Sequence, residues 1–466
     1  MSTIGTSTDG RQHASAREHT DSRVHHHAAP RRCCVPVSRL VLRGARSPGD
    51  VAVAEGHIVA IGEVPAEPDD TVLRVDGDII TAGLVNTHHH LYQHLTRGWA
   101  TGCDLFTWLT TLYPVWGRLD VDDVTAAARV ALADLLLSGC TTAADHHYLV
   151  PGGDDTVFDA IAETALTLGV RLHLARGSMD LGESDGGLPP DHVVEDLDAI
   201  LASTERVADR WHDAERIHVT VAPCSPFSVT PELMRESATF ARARGLRLHT
   251  HLAETREEEA DCLARFGKRP LAVMEELGWV ADDVWYAHGV HFDDAEVARL
   301  GEAGAGIAHC PSSNARLAAG MCRVTDLRDA GVAVGLGVDG AASNEQGTLI
   351  TELRQAVFTA RQRTGRADAL GPRDALDLAT LGGAACLGVD DIGRLEVGAR
   401  ADLVTWPGDD LIDIADPVDG LVFGPDRRAR HVHVGGQPVV EDGEVLGLDL
   451  SGARTDLGRR AQRLRD

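Results

Sequence analysis

Lysine is nearly missing from this chain: Lys268 is the single one among 44 basic side chains, so almost every cation is arginine. Positive charge is short overall as well. Set against 71 acidic groups, it leaves a formal net charge of −27 at pH 7, with no basic stripe to relieve it. Nucleic-acid binding is driven by Lys and Arg neutralising phosphates, so polyanionic partners are excluded. Long apolar runs are absent too. The best candidate, Val130–Leu137, is short and broken by Asp134, whereas a membrane span needs about 18 or more apolar residues. The nine cysteines contain no CxxC pair, and the adjacent Cys33 and Cys34 cannot form an ordinary structural disulfide. That usage predicts reduced thiols and a cytoplasmic protein. The N-terminus lacks the apolar core of a secretory signal. No GxGxxG or Walker loop follows a strand, which removes the usual phosphate cradles.

What remains is ordinary globular material, 466 residues with 43% hydrophobic and 25% charged content. Length allows two to four domains, or one large α/β barrel with an appendage. Residues 1–35 are polar and aperiodic and read as a disordered tail, its His25–His27 run as solvated. From 36 to 82, short apolar runs (Leu40–Leu42, Val51–Val53, Ile58–Ile61, Val72–Val75) are split by Gly, Pro and Asp, as in β-strands. The same texture returns within 391–445, at Ala401–Thr405 and His431–Val440, predicting one small β-sandwich domain built from both ends of the chain. Residues 446–466 read as a polar helix or tail.

Between them, 83–390 alternates β-rich and helical patterns. The strand candidates are Leu84–His88, Cys140–His146, Arg171–Arg176, His218–Pro223, Arg247–His251, Val284–His288, Ala305–His309 and Val332–Val338. Eight such units predict a (β/α)8 barrel, whose C-terminal strand ends converge on one mouth. Polar groups gather there: His88 and His90, His146 and His147, Arg176, Cys224, His251 with Glu254 beyond, His288, His309 and Asp339. His88-x-His90 on an extended strand puts both imidazoles on one side. With His251 and Asp339 they form a ligand set for a divalent transition metal. A metal so held lowers the pKa of a bound water to about 7.

Five runs carry a resemblance: Gly83-Leu-Val-Asn-Thr-His-His-His90, His251-Leu-Ala-Glu254-Thr, Ala287-His288-Gly, His309-Cys-Pro-Ser-Ser-Asn314 and Gly337-Val-Asp339-Gly-Ala-Ala-Ser-Asn344. They resemble the amidohydrolase superfamily, in its deaminase and s-triazine hydrolase branch, over about residues 36–440. The return of the β domain is marked by Gly393–Leu403, and Ala82 stands where proline is usual, ahead of the ligands. The runs His90–Gln93, Trp108–Trp116, Ser138–Tyr148, Arg176–Pro190 and Ala222–Ser228 resemble the 8-oxoguanine deaminase subfamily of that branch.

The resemblance implies hydrolytic deamination of an aminopurine, 8-oxoguanine to urate and ammonia. Its alternatives are another aminopurine or pterin, or a hydroxylated s-triazine. A barrel that kept the fold without metal or catalysis is the non-enzyme reading, against which the intact polar set argues. His88, His90, His251 and Asp339 would hold one Zn²⁺, with Fe²⁺ as the alternative, and Asp339 would also take a proton from water. Glu254 would protonate a ring nitrogen and then the leaving amine, and His288 would hydrogen-bond the reacting centre. Glu257–Glu259 read as solvated carboxylates of a helix start.

Binuclear relatives bridge two metals with a carboxylated lysine at the end of the fourth strand. His218–Phe227 contains none and Lys268 falls in a helical stretch, so one metal is expected, with Cys224 a buried thiol. The H-x-E…P-C-x-x-C deaminase design is absent, since Pro223-Cys224 leads to Phe227. Aromatic residues are only 4% of the chain, yet Trp108, Tyr113 and Trp116 fall within nine positions. They are expected to wall or stack the purine, with Gln93 on its edge and Arg176 on an acceptor oxygen. His147, Cys140 and His309 are expected to support the fold. A small-molecule substrate, a homo-oligomer, and neither nucleic acid nor membrane complete the expectation.

Overall fold

The computed structural model describes residues 39–213 and 215–466. The polar tail, its His25–His27 run and Cys33–Cys34 lie outside the described residues. Eight parallel strands close a barrel: β1 (Leu84–Asn86), β2 (Cys140–His147), β3 (Arg171–Ser178), β4 (Ile217–Pro223), β5 (Arg247–Leu252), β6 (Val284–His288), β7 (Gly306–His309) and β8 (Ala333–Leu336). They follow one another around the ring in chain order, and β8 meets β1 through Leu336 and Asn86. The expected (β/α)8 class is therefore the observed one. β1 is shorter than read from sequence. Beyond it, His89 and His90 pair separately with Asp339 and Gly340, which brings the ends of the first and last strands together.

The helices explain themselves locally. Helix Val121–Leu137 starts at Asp120, whose side chain accepts from Asp123 N while Asp123 reaches back to the Asp120 amide, a reciprocal cap. It ends at Ser138-Gly139, where Gly139 takes φ +85° and a Cβ would lie 2.5 Å from the Trp406 ring. Only glycine makes that turn into β2. The C-terminal residues 450–465 form a helix whose Arg460 and Arg463 reach the buried Asp123.

Outside the barrel, one four-stranded sheet orders His57–Gly62, Asp50–Ala54, Leu40–Arg43 and Thr71–Arg74. A five-stranded sheet draws on both ends of the chain, pairing Ile79–Ala82 with Leu403–Trp406. Leu42, Val53, Ile58, Ile80 and Leu403 share one apolar core. Asp402 ties this region to the barrel: it accepts two bonds from Arg171 at the start of β3, at 2.8 and 3.1 Å, and one from Gly435 N. Both side chains are buried. Removing one partner strands a buried charge, so Asp402→Ala is expected to cost about 3–5 kcal/mol. A lowered denaturant midpoint would report the loss, and an unchanged one would show the pair to be idle.

Candidate metal centre and active site

At the C-terminal mouth the strand ends bring the predicted histidines into one cluster. His90 Nε2 stands 3.1 Å from His251 Nε2. Asp339 Oδ1 lies 3.4 Å from His88 Nε2 and 3.2 Å from His90 Nε2. The hydrogen bonds behind these rings fix what the four atoms present. His90 Nδ1 donates to the His146 carbonyl and His251 Nδ1 to that of Cys224, each at 2.6 Å. His249 Nδ1 donates to the Trp285 carbonyl at 2.9 Å, leaving its Nε2 to accept from His88 Nδ1 at 2.9 Å. A carbonyl accepts only, so in His90, His249 and His251 Nδ1 is the donor and Nε2 is the nitrogen left for a ligand or a neighbouring ring. Burial holds His88 and His251 well below, and His249 down at about 3 against, the ordinary imidazole range, which keeps these rings neutral.

Three imidazole lone pairs and a carboxylate oxygen thus converge, and His88 Nε2 has no hydrogen-bond partner although fully buried. That arrangement repels itself unless a cation sits among the donors, and nitrogen with carboxylate oxygen suits a borderline divalent ion. Among the described residues three groups could hold a metal: His88, His90 and His251; His88, His288 and Asp339; and His88, His146 and His249, in the last of which His88 Nδ1 is already bonded to His249 Nε2. Asp339 Oδ2 is occupied by Ser313 Oγ at 2.5 Å and Ser343 Oγ at 3.1 Å, which turns Oδ1 toward the histidines.

Beside this cluster, Glu254 Oε2 lies 3.5 Å from His288 Nε2, and Asn314 Oδ1 accepts from His288 Nδ1 at 2.9 Å. Burial first, and then the Asp339 charge, push the Glu254 carboxyl well above its ordinary range. Three of the residues here adopt left-handed backbone without being glycine: Ala253 (φ 54°), His288 (φ 74°) and Asp339 (φ 58°). Such strain persists only where surrounding bonds over-determine it, and it gathers at functional sites.

A small cavity of about 30 Å³ adjoins the cluster, bounded by Gln93, Trp108, Tyr113, Tyr148, Phe227 and Leu317 among others. Trp108 Nε1 donates to the Ala342 carbonyl and the Tyr113 hydroxyl to Met179 sulfur, so both offer ring surface to the cavity. Gln93 Oε1 is buried without a partner and lies against Gly340, where a Cβ would stand 1.8 Å from it. Glycine there makes room for the amide. A larger cavity of about 710 Å³ lies outside, and Leu105 and Leu317 line both.

Two expected substrate contacts are corrected. Arg176 faces away from the mouth: on β3 its parity matches His147 of β2, both pack on Phe158, and its guanidinium is taken by Glu195 at 2.7 and 3.0 Å. Strand alternation, not strand-end position, decides its side. Trp116 is fully buried behind Tyr92 and Trp108 and spends its N–H on Thr96 Oγ1. It backs the wall without reaching the cavity. Glu258 is corrected as well, being wholly buried rather than solvated. Lys268 sits in the turn between helices Arg256–Phe266 and Pro270–Glu276, paired with Glu276. Burial pushes the Cys224 thiol up to about 12, and its carbonyl, not its sulfur, orients His251.

The sequence pattern assigns no role to Tyr148, Phe227, Asn314, Ser313 or Ser343, although each stands within one of the motif runs. His147 and Cys140 are buried away from the cluster, and His309 is buried with neither ring nitrogen partnered.

Known proteins match this architecture. Residues 79–439 match the amidohydrolase family. The chain is 49% identical to the 8-oxoguanine deaminase of Pseudomonas aeruginosa, over 89% of this chain and 95% of that protein. It is 37% identical to an isoxanthopterin deaminase of an unknown prokaryote, over 90% and 92% respectively. The atrazine chlorohydrolase of Arthrobacter aurescens, solved in complex with zinc, superposes with a TM-score of 0.85 at 32% identity, covering 91% of this chain and all of that one. With the family matched across most of its length and the barrel, mouth and ligand cluster in place, the chain belongs to the amidohydrolase family, as an amidohydrolase-type deaminase.

Proposed function

We propose that this chain is a zinc-dependent aminopurine deaminase that converts 8-oxoguanine to urate and ammonia. The observation that carries the reading is the inward-facing set of His88, His90, His251 and Asp339 beside a buried Glu254 carboxyl, in a chain half identical to an 8-oxoguanine deaminase. One Zn²⁺ held by those four residues would supply the Lewis acidity that makes water nucleophilic near neutral pH. No lysine stands at the end of β4 to bridge a second ion. The oxygen of water bonds to C2 of the base, the C2–amine bond breaks, and the amine leaves as ammonia.

The chain's own groups handle the protons. Glu254 gives its proton to the ring nitrogen beside C2, and Asp339 takes one from the attacking water. Glu254 takes up the proton left on the C2 hydroxyl as that oxygen becomes a carbonyl and delivers it to the departing amine, and the proton held by Asp339 returns to Glu254 to close the cycle. His288, oriented by Asn314, hydrogen-bonds the oxygen at the tetrahedral carbon. Trp108 and Tyr113 offer ring faces, and Gln93 offers the one side-chain amide lining the cavity. No arginine or lysine lines it, which suits an uncharged base rather than a phosphorylated one. The space left between these side chains is about 30 Å³.

Catalysis then falls to 83–390 and a supporting β-sandwich role to 39–82 with 391–445, supported by their shared core. The seven described cysteines are all free, which supports a reducing, cytoplasmic setting. No described helix is long and apolar enough to cross a membrane.

Ammonia release measured on 8-oxoguanine, guanine, isoguanine, isoxanthopterin, isocytosine and cytosine tests the reading. Preference for 8-oxoguanine is expected. Isoxanthopterin, a bicyclic ring with the same 2-amino-4-oxo edge, is the second reading, favoured by the relative that acts on it. Preference for any base other than 8-oxoguanine would overturn the substrate while leaving the deaminase.

A further inference from the structure

Helix Arg256–Phe266 begins with Thr255-Arg-Glu-Glu258, the spacing of a capping box. In that motif the fourth residue's carboxylate returns to the amide of the first. Half of it is present: Glu258 N donates to Thr255 Oγ1 at 3.3 Å. The other half is displaced. The Glu258 carboxylate passes Thr255 and takes two amides further back, Ala253 N at 2.8 Å on Oε1 and Glu254 N at 3.0 Å on Oε2.

Those amides belong to the turn that carries Glu254 away from the ligand His251. Ala253 holds φ 54° there, a conformation costly for any residue with a Cβ. Its carbonyl is pinned from the other side by Val290 N and His291 N, both at 2.9 Å. Glu258 itself has no exposed surface, so water cannot replace it as acceptor. A helix cap alone would need only the Thr255 end. A buried carboxylate spanning two amides ahead of the cap acts instead on where the next side chain points.

Resting on the reading of Glu254 as proton carrier, we propose that Glu258 is the positioning residue for Glu254. It holds the left-handed turn at Ala253 and so fixes the Glu254 carboxyl against His288 and the substrate nitrogen. Glu258 touches neither substrate nor metal ligands, and its effect passes through one backbone turn.

The test compares Glu258→Gln, Ala253→Gly/Glu258→Gln and Glu254→Gln in the metal-loaded full-length protein. Glutamine keeps the volume but replaces one of the two acceptors with a donor. Misplacing a reacting group by about 1 Å costs about 10²-fold, so kcat of Glu258→Gln should fall about 10- to 100-fold. KM should stay within about twofold and metal content at the wild-type value, because the ligands and the ring-binding wall are untouched. Glycine at 253 adopts the left-handed turn without cost, so the double variant should recover part of the lost kcat. Wild-type kcat in Glu258→Gln overturns the inference. So does a fall in kcat that comes with metal loss, or with no recovery in the double variant, since each marks a merely structural role. If Glu258→Gln is insoluble, the double variant carries the kcat and KM comparison, and its insolubility too would count as that structural role. An active Glu254→Gln would instead sink the proton-carrier reading, whereas an inactive one beside an unimpaired Glu258→Gln sinks only the positioning.

Discussion

Glu254→Gln is expected to keep its metal and lose turnover by about 10²–10⁴-fold, the range of a general acid–base group. The substitution is nearly isosteric, and Glu254 is not among the groups whose bare lone pairs converge on the ion site. Its amide cannot carry the proton that the ring nitrogen and the amine need in turn. The buried setting sharpens the expectation. Little solvent reaches this position, so bulk water is poorly placed to substitute as the acid. His288 Nε2 is a neighbouring group, 3.5 Å from Glu254 Oε2. Its Nδ1 donates to Asn314 Oδ1, so that hydrogen is not free for the substrate. Turnover near wild type with full metal would refute the proton-carrier role. Loss of metal along with activity would show Glu254 to be a structural support of the ligand cluster instead. Substrate binding should change little, because Gln93, Trp108 and Tyr113 keep their places on other elements.

The barrel and its mouth were legible in the sequence because parallel strands buried on both faces read as short β-rich runs that end in polar residues. Those ends are where His251, His288 and Asp339 stand. Arg176 shows the limit of that signal. Position along a strand is written in the sequence, but which side a residue faces depends on register, and β3 extends two residues past the expected end. Glu258 shows another limit. A run of three glutamates at a helix start has the composition of a solvated face, and nothing local says that the middle one folds back under the preceding turn. Tyr148 and Phe227 reach the cavity by tertiary packing of the ends of β2 and β4, which no local period encodes. Asn314, Ser313 and Ser343 sat within motif runs. Their part, orienting His288 and Asp339, needs the β6, β7 and β8 loops brought side by side.

His88→Ala is expected to empty the metal site, with turnover falling to background, because His88 alone belongs to every ligating group found among the described residues. The same geometry predicts an order of severity. His249 is not an inward lone pair of this site. It accepts the hydrogen of His88 Nδ1 and thereby fixes which nitrogen of His88 faces the ion. Removing such an outer partner costs about 10–100-fold in metal affinity, so His249→Ala should bind metal weakly and regain activity with added zinc. His147 ends the same strand as His146 but points outward onto Phe158, with Nε2 donating to the Leu149 carbonyl. His147→Ala should therefore keep its metal and most of its turnover. Metal analysis after dialysis, read across the three variants, distinguishes a ligand, its orienting partner and a bystander. Full occupancy in His88→Ala would remove it from the ligand set. Equal losses in all three would show that the cluster collapses as a unit, and that the hydrogen-bond order read from the rings does not govern metal affinity.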